Sequence, residues 1–441
     1  MRPEYALSTK DHFCVLRRWN SYTPKLPGSE GRGGGYLLRW NGKGIIIDPG
    51  FNFLENLDDW GYSLQDIDAI FLTHSHIDHT DSLDSILMML ERRLRTKSDK
   101  DPVRIYYDDG CEIRFGNYLS KLAEAYKFLK SPYKYRWANN EWQTIYDLED
   151  WGIKVVPLPT YHKQIVPPDE DRGVGLIFCL SKGRKPIHRI AFTGDTRFVD
   201  ERGKVTYIDL NLQKLKQCDI VICHIGDVKL GELLSLVNVK LESDKKIALE
   251  KALAEIAEKI DEVRNWDQMQ MLGLPSTRDN FVSLMLSLIT EKPDAAYLSR
   301  QHLGFHGVFR LFEALKDDSE TKLGIISEFG EELGSFRHRI ARTITKSLDL
   351  SSAKKKLLTG DLGLRVILLA KRESCPACLE TTKLLVTCTT CGQLVCPFCI
   401  KETCIKHKQK GIFYHCPKRT CRSEEFAPPI TKFSREKLAG Y

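Results

Sequence analysis

Thr73-His74-Ser75-His76-Ile77-Asp78-His79 packs three histidines and an aspartate into six residues at the end of the apolar run 67–73. Imidazole and carboxylate together form a donor set for zinc, iron or manganese. The apolar run reads as a short strand, so the cluster lies in a loop at a strand end. His74 and His76 are two apart and can point the same way. Asp78 and His79 come after the loop turns and can face a second ion, so one short loop can serve two metals.

Outward from this loop, strand-like runs and turns alternate through the first two hundred residues. Strands are expected at 13–16, 35–40, 44–47, 153–157, 175–180, 189–193 and 219–223. Asn41-Gly42, between the second and third of these, is a hairpin signal. Residues 81–95 carry Leu83, Ile86, Leu87, Leu90 and Leu94 at helical spacing. From 232 to 290 the charge rises and 249–263 reads as a long amphipathic helix, which marks a helical insertion. A strand is expected again at 295–298, a helix at 308–315 and a strand at 323–327. A polar, basic hinge at 351–356 precedes a last strand at 362–370. There is no internal repeat and no low-complexity segment. No run of 18 apolar residues is present, so no membrane span is expected.

The His-x-His-x-Asp-His pattern resembles the signature of the metallo-β-lactamase superfamily, and other parts of that pattern follow in order. Asp48, in Ile47-Asp48-Pro49-Gly50, matches the buried aspartate that supports the metal loop. His162 follows the strand Val155-Val156-Pro157, and Asp195 stands in Phe192-Thr193-Gly194-Asp195-Thr196. A final histidine is expected at His302, with His306 as its rival. The resemblance spans roughly residues 12–345. It implies an α/β fold, a four-layer αββα metallo-β-lactamase sandwich, here with a helical insertion and a small C-terminal zinc-binding domain. The corresponding division is 1–231 and 291–350 for the sandwich, 232–290 for the insertion, 351–372 for hinge and strand, 373–425 for the Cys-rich module and 426–441 for a tail.

The resemblance also implies a dinuclear site holding zinc or manganese. His74, His76 and His162 would hold the first ion. Asp78, His79 and His302 would hold the second, and Asp195 would bridge them. Two such ions sharing a hydroxide provide a nucleophile at neutral pH, because bound water drops to a pKa of about 7. Asp78 would also orient the attacking water. His224, at the end of the strand containing Ile222-Cys223, is placed to contact substrate or to protonate the leaving group; a structural histidine is the alternative.

The superfamily hosts many hydrolases, so the substrate must be argued from the site. The carboxylate-rich set resembles the nuclease branch, which includes tRNA 3′-processing enzymes and the β-CASP nucleases. The stretch from Ser299-Arg300-Gln301-His302 to Ile326-Ser327-Glu328-Phe329 echoes the β-CASP C-terminal motifs. Glu328 departs from them by standing where that group usually carries a histidine. Arg17, Arg18 and residues 20–32, before Gly33-Gly34-Gly35, are either the lining of the mouth or a loop between strands. Arg92, Arg93, Arg95, Lys97 and Lys100 read as a solvated helix end.

Nine of the fourteen cysteines fall between Cys375 and Cys421, mostly in CxxC pairs. Without a signal peptide this spacing reads as structural zinc in a reducing compartment, not as disulfides. The module resembles cross-brace zinc modules, which implies two ions. Cys375, Cys378, Cys396 and Cys399 would bind one. Cys388 and Cys391 would bind the other, joined either by Cys416 and Cys421 or by Cys404 and His407. Its role stays open between nucleic-acid binding, protein docking and capping the hydrolase.

The formal charge of +7 over 441 residues is compatible with a polyanionic partner. The expected function is therefore a cytoplasmic, metal-dependent phosphodiesterase or nuclease acting on RNA or DNA. The alternatives are a hydrolase of a small ester, thioester or cyclic nucleotide, and a zinc-module interaction protein with a partner-activated hydrolase.

Overall fold

The computed structural model describes residues 10–19, 33–95, 101–125, 129–130, 132–138, 141–162, 173–199, 205–226, 302–317, 319–330, 337–404 and 412–417. The helical insertion expected at 232–290, residues 20–32, the strand at 295–298 and the tail all lie outside them.

The chain first lays down β1 (His12–Arg17), β2 (Gly34–Trp40), β3 (Lys43–Ile47), β4 (Ala69–Phe71), β5 (Arg104–Tyr107) and β6 (Tyr133–Lys134), then a small hairpin, β7 (Trp137–Ala138) and β8 (Glu141–Trp142). A second sheet follows from β9 (Ile153–Pro159), β10 (Val174–Lys182), β11 (Lys185–Phe192), β12 (Ile220–Gly226), β13 (Leu323–Phe329) and β14 (Lys356–Thr359). The chain then returns to the first sheet with β15 (Arg365–Ser374), β16 (Thr381–Thr387) and β17 (Leu394–Val395), and ends in the hairpin of β18 (Lys401–Cys404) and β19 (Ile412–His415). Among the described residues the first sheet has the order β17-β16-β15-β1-β2-β3-β4-β5-β6 and the second β14-β13-β12-β11-β10-β9.

The period of two along each strand builds the layers. Phe13, Val15, Leu38, Ile45, Ile47 and Phe71 of the first sheet share one core with Val155, Leu176, Phe178, Ile190, Ile222 and Ile325 of the second. The alternate residues Leu16, Leu37, Ile46 and Ile70 face outward, onto Phe53 and Leu57 of one helix and Leu83, Ile86, Leu87 and Leu90 of the next. On the far side Ile177, Ala191, Val221 and Ile326 meet Tyr207, Val308, Leu311, Phe312, Ile340 and Ile344 from three helices. Both faces of each central strand are covered, which is why runs such as Ile45-Ile46-Ile47 are apolar throughout instead of alternating. The result is the expected four-layer αββα sandwich.

Asn41 and Gly42 both have positive φ, 50° and 76°, as the β2–β3 hairpin requires. β14 and the helix Arg337–Ser347 go beyond the expected elements, and the hinge residues run directly into β14. The Cys-rich strands continue the first sheet: β15 pairs with β1 and β16 with β15. Buried Cys375, Cys388, Cys396, Tyr414 and Cys416 belong to the same apolar cluster as the inter-sheet core.

Strand direction positions the site. β1 and β3 are each antiparallel to β2, and β4 is parallel to β3. β9 and β11 are each antiparallel to β10, while β12 and β13 run parallel to β11. Within one sheet β1, β3 and β4, and within the other β9, β11, β12 and β13, therefore deliver their C-terminal ends to one side, where open α/β sheets place ligands.

Candidate metal centre

The loop after β4 is fixed from β3. Asp48 follows β3 with a left-handed backbone, φ 49°, and is fully buried. Its Oδ1 accepts the Thr73 amide at 2.8 Å, and its Oδ2 accepts the Thr73 hydroxyl at 2.7 Å. The same Oδ2 lies 3.0 Å from His79 Nδ1. A Cβ on Gly50 would overlap the Asp78 carbonyl oxygen at 1.5 Å, so only glycine lets the metal loop pass this closely.

Two groups of side chains meet beyond that loop. In the first, His76 Nδ1 is 3.1 Å from His74 Nε2 and 3.0 Å from His162 Nε2. In the second, His79 Nε2 is 2.9 Å from Asp78 Oδ2 and 3.4 Å from Asp195 Oδ2. Asp195 lies between the groups, its Oδ2 also 3.6 Å from His74 Nε2, 4.0 Å from His162 Nε2 and 3.2 Å from His302 Nε2. His302 reaches this position past Gly226, where a Cβ would meet the imidazole Cγ at 2.1 Å. The side chain of His306 is outside the described residues. All seven hydrolase-site residues singled out as metal ligands in the sequence are thus brought together.

His224 ends up behind Asp195. It is fully buried, with Nδ1 3.1 Å from Asp195 Oδ1 and 3.1 Å from Glu328 Oε1, and with Nε2 3.1 Å from the Tyr36 hydroxyl. Arg17 does not line a mouth: it is fully buried, ion-paired with Glu328, and donates from Nη2 to the Asp78 carbonyl at 3.1 Å. Its position at the C-terminal end of β1 carries it under the metal loop. Sequence reasoning did not place Tyr36 in this cluster, and it marked Glu328 only as standing where the β-CASP group usually carries a histidine; no spacing signal links β2 to the His-rich loop.

The donor set fits divalent cations. Asp48, Asp78, Asp195 and Glu328 are each no more than 5% exposed, against one equally buried guanidinium, Arg17. Such an excess of buried negative charge needs compensation. In the protein's own groups it falls on His79: burial pulls its pKa down, but Asp78, Asp195 and Asp48 together hold it well above the usual range. Asp195 is held well below the carboxylate range, since His79 and His302 outweigh its burial. His74 is pushed well below the ordinary histidine value, by burial first and then by His79 and His162, which keeps its nitrogen free to coordinate.

A second constellation lies in the Cys-rich segment. The Sγ atoms of Cys375, Cys378, Cys396 and Cys399 lie within 4.8 Å of one another, and so do those of Cys388, Cys391 and Cys416. Cys378 Sγ is 3.7 Å from Cys396 Sγ, and Cys391 Sγ is 3.7 Å from Cys416 Sγ. A tetrahedron with arms of about 2.3 Å has edges of about 3.8 Å, so these spacings suit zinc thiolate. Burial raises the Cys375 thiol, but the Cys396 and Ala377 amides aimed at its sulfur outweigh this and bring it down to about 7. The side chain of Cys404, and His407 and Cys421 entirely, lie outside the described residues.

Two facing mixed sheets, flanked by helices and carrying a His/Asp cluster at their strand ends, define a metallo-β-lactamase fold. Residues 43–261 match the family model described as the beta-lactamase superfamily domain. The chain is similar to ribonuclease Z of Protochlamydia amoebophila (strain UWE25), 39% identical over 74 residues, which cover 17% of this chain and 23% of that one. It is also similar to ribonuclease Z of Thermobifida fusca (strain YX), 29% identical over 140 residues, or 31% of this chain and 42% of that one. Well under two thirds of either relative's length is thus spanned. Among solved structures, the metallo-beta-lactamase fold protein YhfI from Bacillus subtilis aligns with 81% of this chain and 98% of its own, at 11% identity and a TM-score of 0.47. No helix among the described residues is long and apolar enough to cross a membrane.

Proposed function

We propose that the chain is a dinuclear-metal phosphodiesterase that cleaves RNA. The observation that carries this reading is Asp195 Oδ2, which lies within 4.0 Å of a nitrogen on each of His74, His79, His162 and His302. One carboxylate shared by two histidine groups is the arrangement that bridges two cations. The similarity to segments of ribonuclease Z supports RNA as the polymer.

In this reading His74, His76 and His162 would hold one ion and Asp78, His79 and His302 the other, with Asp195 shared by both. The ions, zinc or manganese, supply an acidified water and positive charge for phosphoryl oxygens. Asp78 would orient the attacking water. Arg17 fixes that loop through the Asp78 carbonyl. His224, buried between Asp195, Glu328 and Tyr36, orients Asp195 and does not touch substrate. The Cys375, Cys378, Cys396, Cys399 group and the Cys388, Cys391, Cys416 group each hold a structural zinc, which implies a reducing, cytoplasmic setting. Because β16 and β17 extend the first sheet and Cys375, Cys388, Cys396 and Cys416 share the inter-sheet core cluster, we assign the 373–425 module a capping role on the hydrolase. We retain 1–231 and 291–350 as the hydrolase halves.

The test is substrate class. Metal-reconstituted protein should hydrolyse an activated aryl phosphodiester and leave aryl esters, thioesters and β-lactams untouched. Preferential hydrolysis of an ester or thioester would refute the phosphodiesterase reading.

A further inference from the structure

Four buried carboxylates surround His79, and one of them has a spare oxygen. Glu328, the penultimate residue of β13, has a left-handed backbone, φ 58°, and is fully buried. Its Oε1 is crowded: Arg17 pairs with it, His224 Nδ1 lies at 3.1 Å, and the Tyr36 hydroxyl at 3.4 Å. Its Oε2 has no hydrogen-bond partner and lies 3.7 Å from His79 Nε2. Among the described residues no other carboxylate oxygen is both buried and without a hydrogen bond. A buried anionic oxygen left this way is costly, and such an atom in a native site marks a water or ion it is built to meet.

The backbone points the same way. Asp48 and Glu328 stand at the ends of strands in opposite sheets, both with positive φ, and both aim a carboxylate at His79, one at each ring nitrogen. Left-handed backbone on a non-glycine residue costs on the order of 1–3 kcal/mol and is retained where surrounding structure enforces it, commonly at functional sites. Arg17 occupies the Oε1 side and leaves Oε2 facing His79 Nε2.

Resting on the dinuclear reading above, we propose that Glu328 is a further ligand of the cation at the Asp78–His79–His302 position, through Oε2. That position then has three carboxylates, Asp78, Asp195 and Glu328, against two imidazoles. The other has three imidazoles and one carboxylate. Oxygen-rich sets favour manganese and imidazole-rich sets favour zinc, so Glu328 makes the two positions unlike and tunes the second for a hard cation.

The experiment is metal binding by the full chain, stripped at the His/Asp centre and titrated with manganese, with free manganese followed by electron paramagnetic resonance and total zinc by mass spectrometry. Reloaded with one equivalent of zinc before the manganese titration, wild type should hold zinc at one position and bind manganese at the other. Glu328→Gln should weaken manganese binding roughly tenfold or more. Glu328→His should shift that position toward zinc. Because Glu328→Gln leaves Arg17 without its counter-ion, Glu328→Asp is the second variant: it keeps the charge, withdraws Oε2 by one methylene, and should weaken manganese binding in the same direction. Two cations in wild type with unchanged affinity in the variants would overturn the role of Glu328 and leave the dinuclear reading standing. No cation beyond the cysteine-bound zinc in wild type would overturn both.

Discussion

Asp48 Oδ2 lies 3.0 Å from His79 Nδ1 while accepting the Thr73 hydroxyl at 2.7 Å, so one buried carboxylate holds both ends of the 73–79 loop. Asp48→Ala should cost about 2–4 kcal/mol, because it strands the buried amide and hydroxyl donors of Thr73 and removes the carboxylate beside His79. It should also weaken cation binding 10- to 100-fold, as loss of a supporting partner does elsewhere. Urea unfolding of the metal-free protein and a zinc titration check the two parts. An unchanged midpoint would remove Asp48 from its supporting role.

The Gly226–His302 contact gives a sharper geometric test. Alanine at 226 would place its Cβ 2.1 Å from His302 Cγ on a backbone of φ 70°. Gly226→Ala should displace His302 and lower the cation stoichiometry of the hydrolase centre from two to one, leaving the cysteine-bound zinc in place. Two cations bound with wild-type affinity would show that His302 is not held there.

The two cysteine groups should behave as separate zinc sites. Cys396→Ser and Cys416→Ser should each lower zinc content by one per chain. Both should lower the thermal midpoint, since Cys396 and Cys416 are buried in the same apolar cluster as the inter-sheet core. Loss of two zinc ions from either single variant would contradict independent sites.

Away from the centre, His12 sets a pH dependence of stability. Its Nδ1 lies 2.7 Å from the Lys10 carbonyl and its Nε2 2.7 Å from the Tyr62 hydroxyl, an arrangement that suits the neutral ring. Burial, reinforced by Arg365, pushes its pKa down to about 3. The unfolded chain therefore binds this proton first. The contribution is complete above about pH 6.5 and is lost as pH falls toward 3, by up to about 1.4 kcal/mol per pH unit. Urea midpoints between pH 7 and 4.5 should fall more steeply for wild type than for His12→Gln. Equal slopes would contradict the assignment.

The sequence carried the metal loop well because four histidine or aspartate ligands within six residues at a strand end have few other uses. His162 and Asp195 were legible through their places after apolar strands, and Asp48 through the Ile47-Asp48-Pro49-Gly50 turn. The Arg17–Glu328 pair was not, although Glu328 was marked as standing where the β-CASP group usually carries a histidine. Arg17 is 311 positions from its partner, 328 less 17, and only the pairing of β1 through β2 and β3 in one sheet, and of β12 with β13 in the other, brings them together. Nor did the cysteine spacing reveal that β15 and β16 extend the first sheet, because sheet register leaves no local mark. The choice of Cys416 as companion to Cys388 and Cys391 depends on the β18–β19 hairpin, which returns the chain across seven residues outside the described set.

Cleavage of end-labelled structured RNA, with single- and double-stranded DNA alongside, is the direct test of a two-cation RNA phosphodiesterase. The full chain, loaded with zinc or manganese, should cut RNA. Chelation should abolish the activity, and Asp195→Ala should reduce it by at least about a thousandfold, as expected when the bridging carboxylate and its cations are lost. Intact RNA with wild-type protein of confirmed metal content, or undiminished cutting by Asp195→Ala, would contradict it.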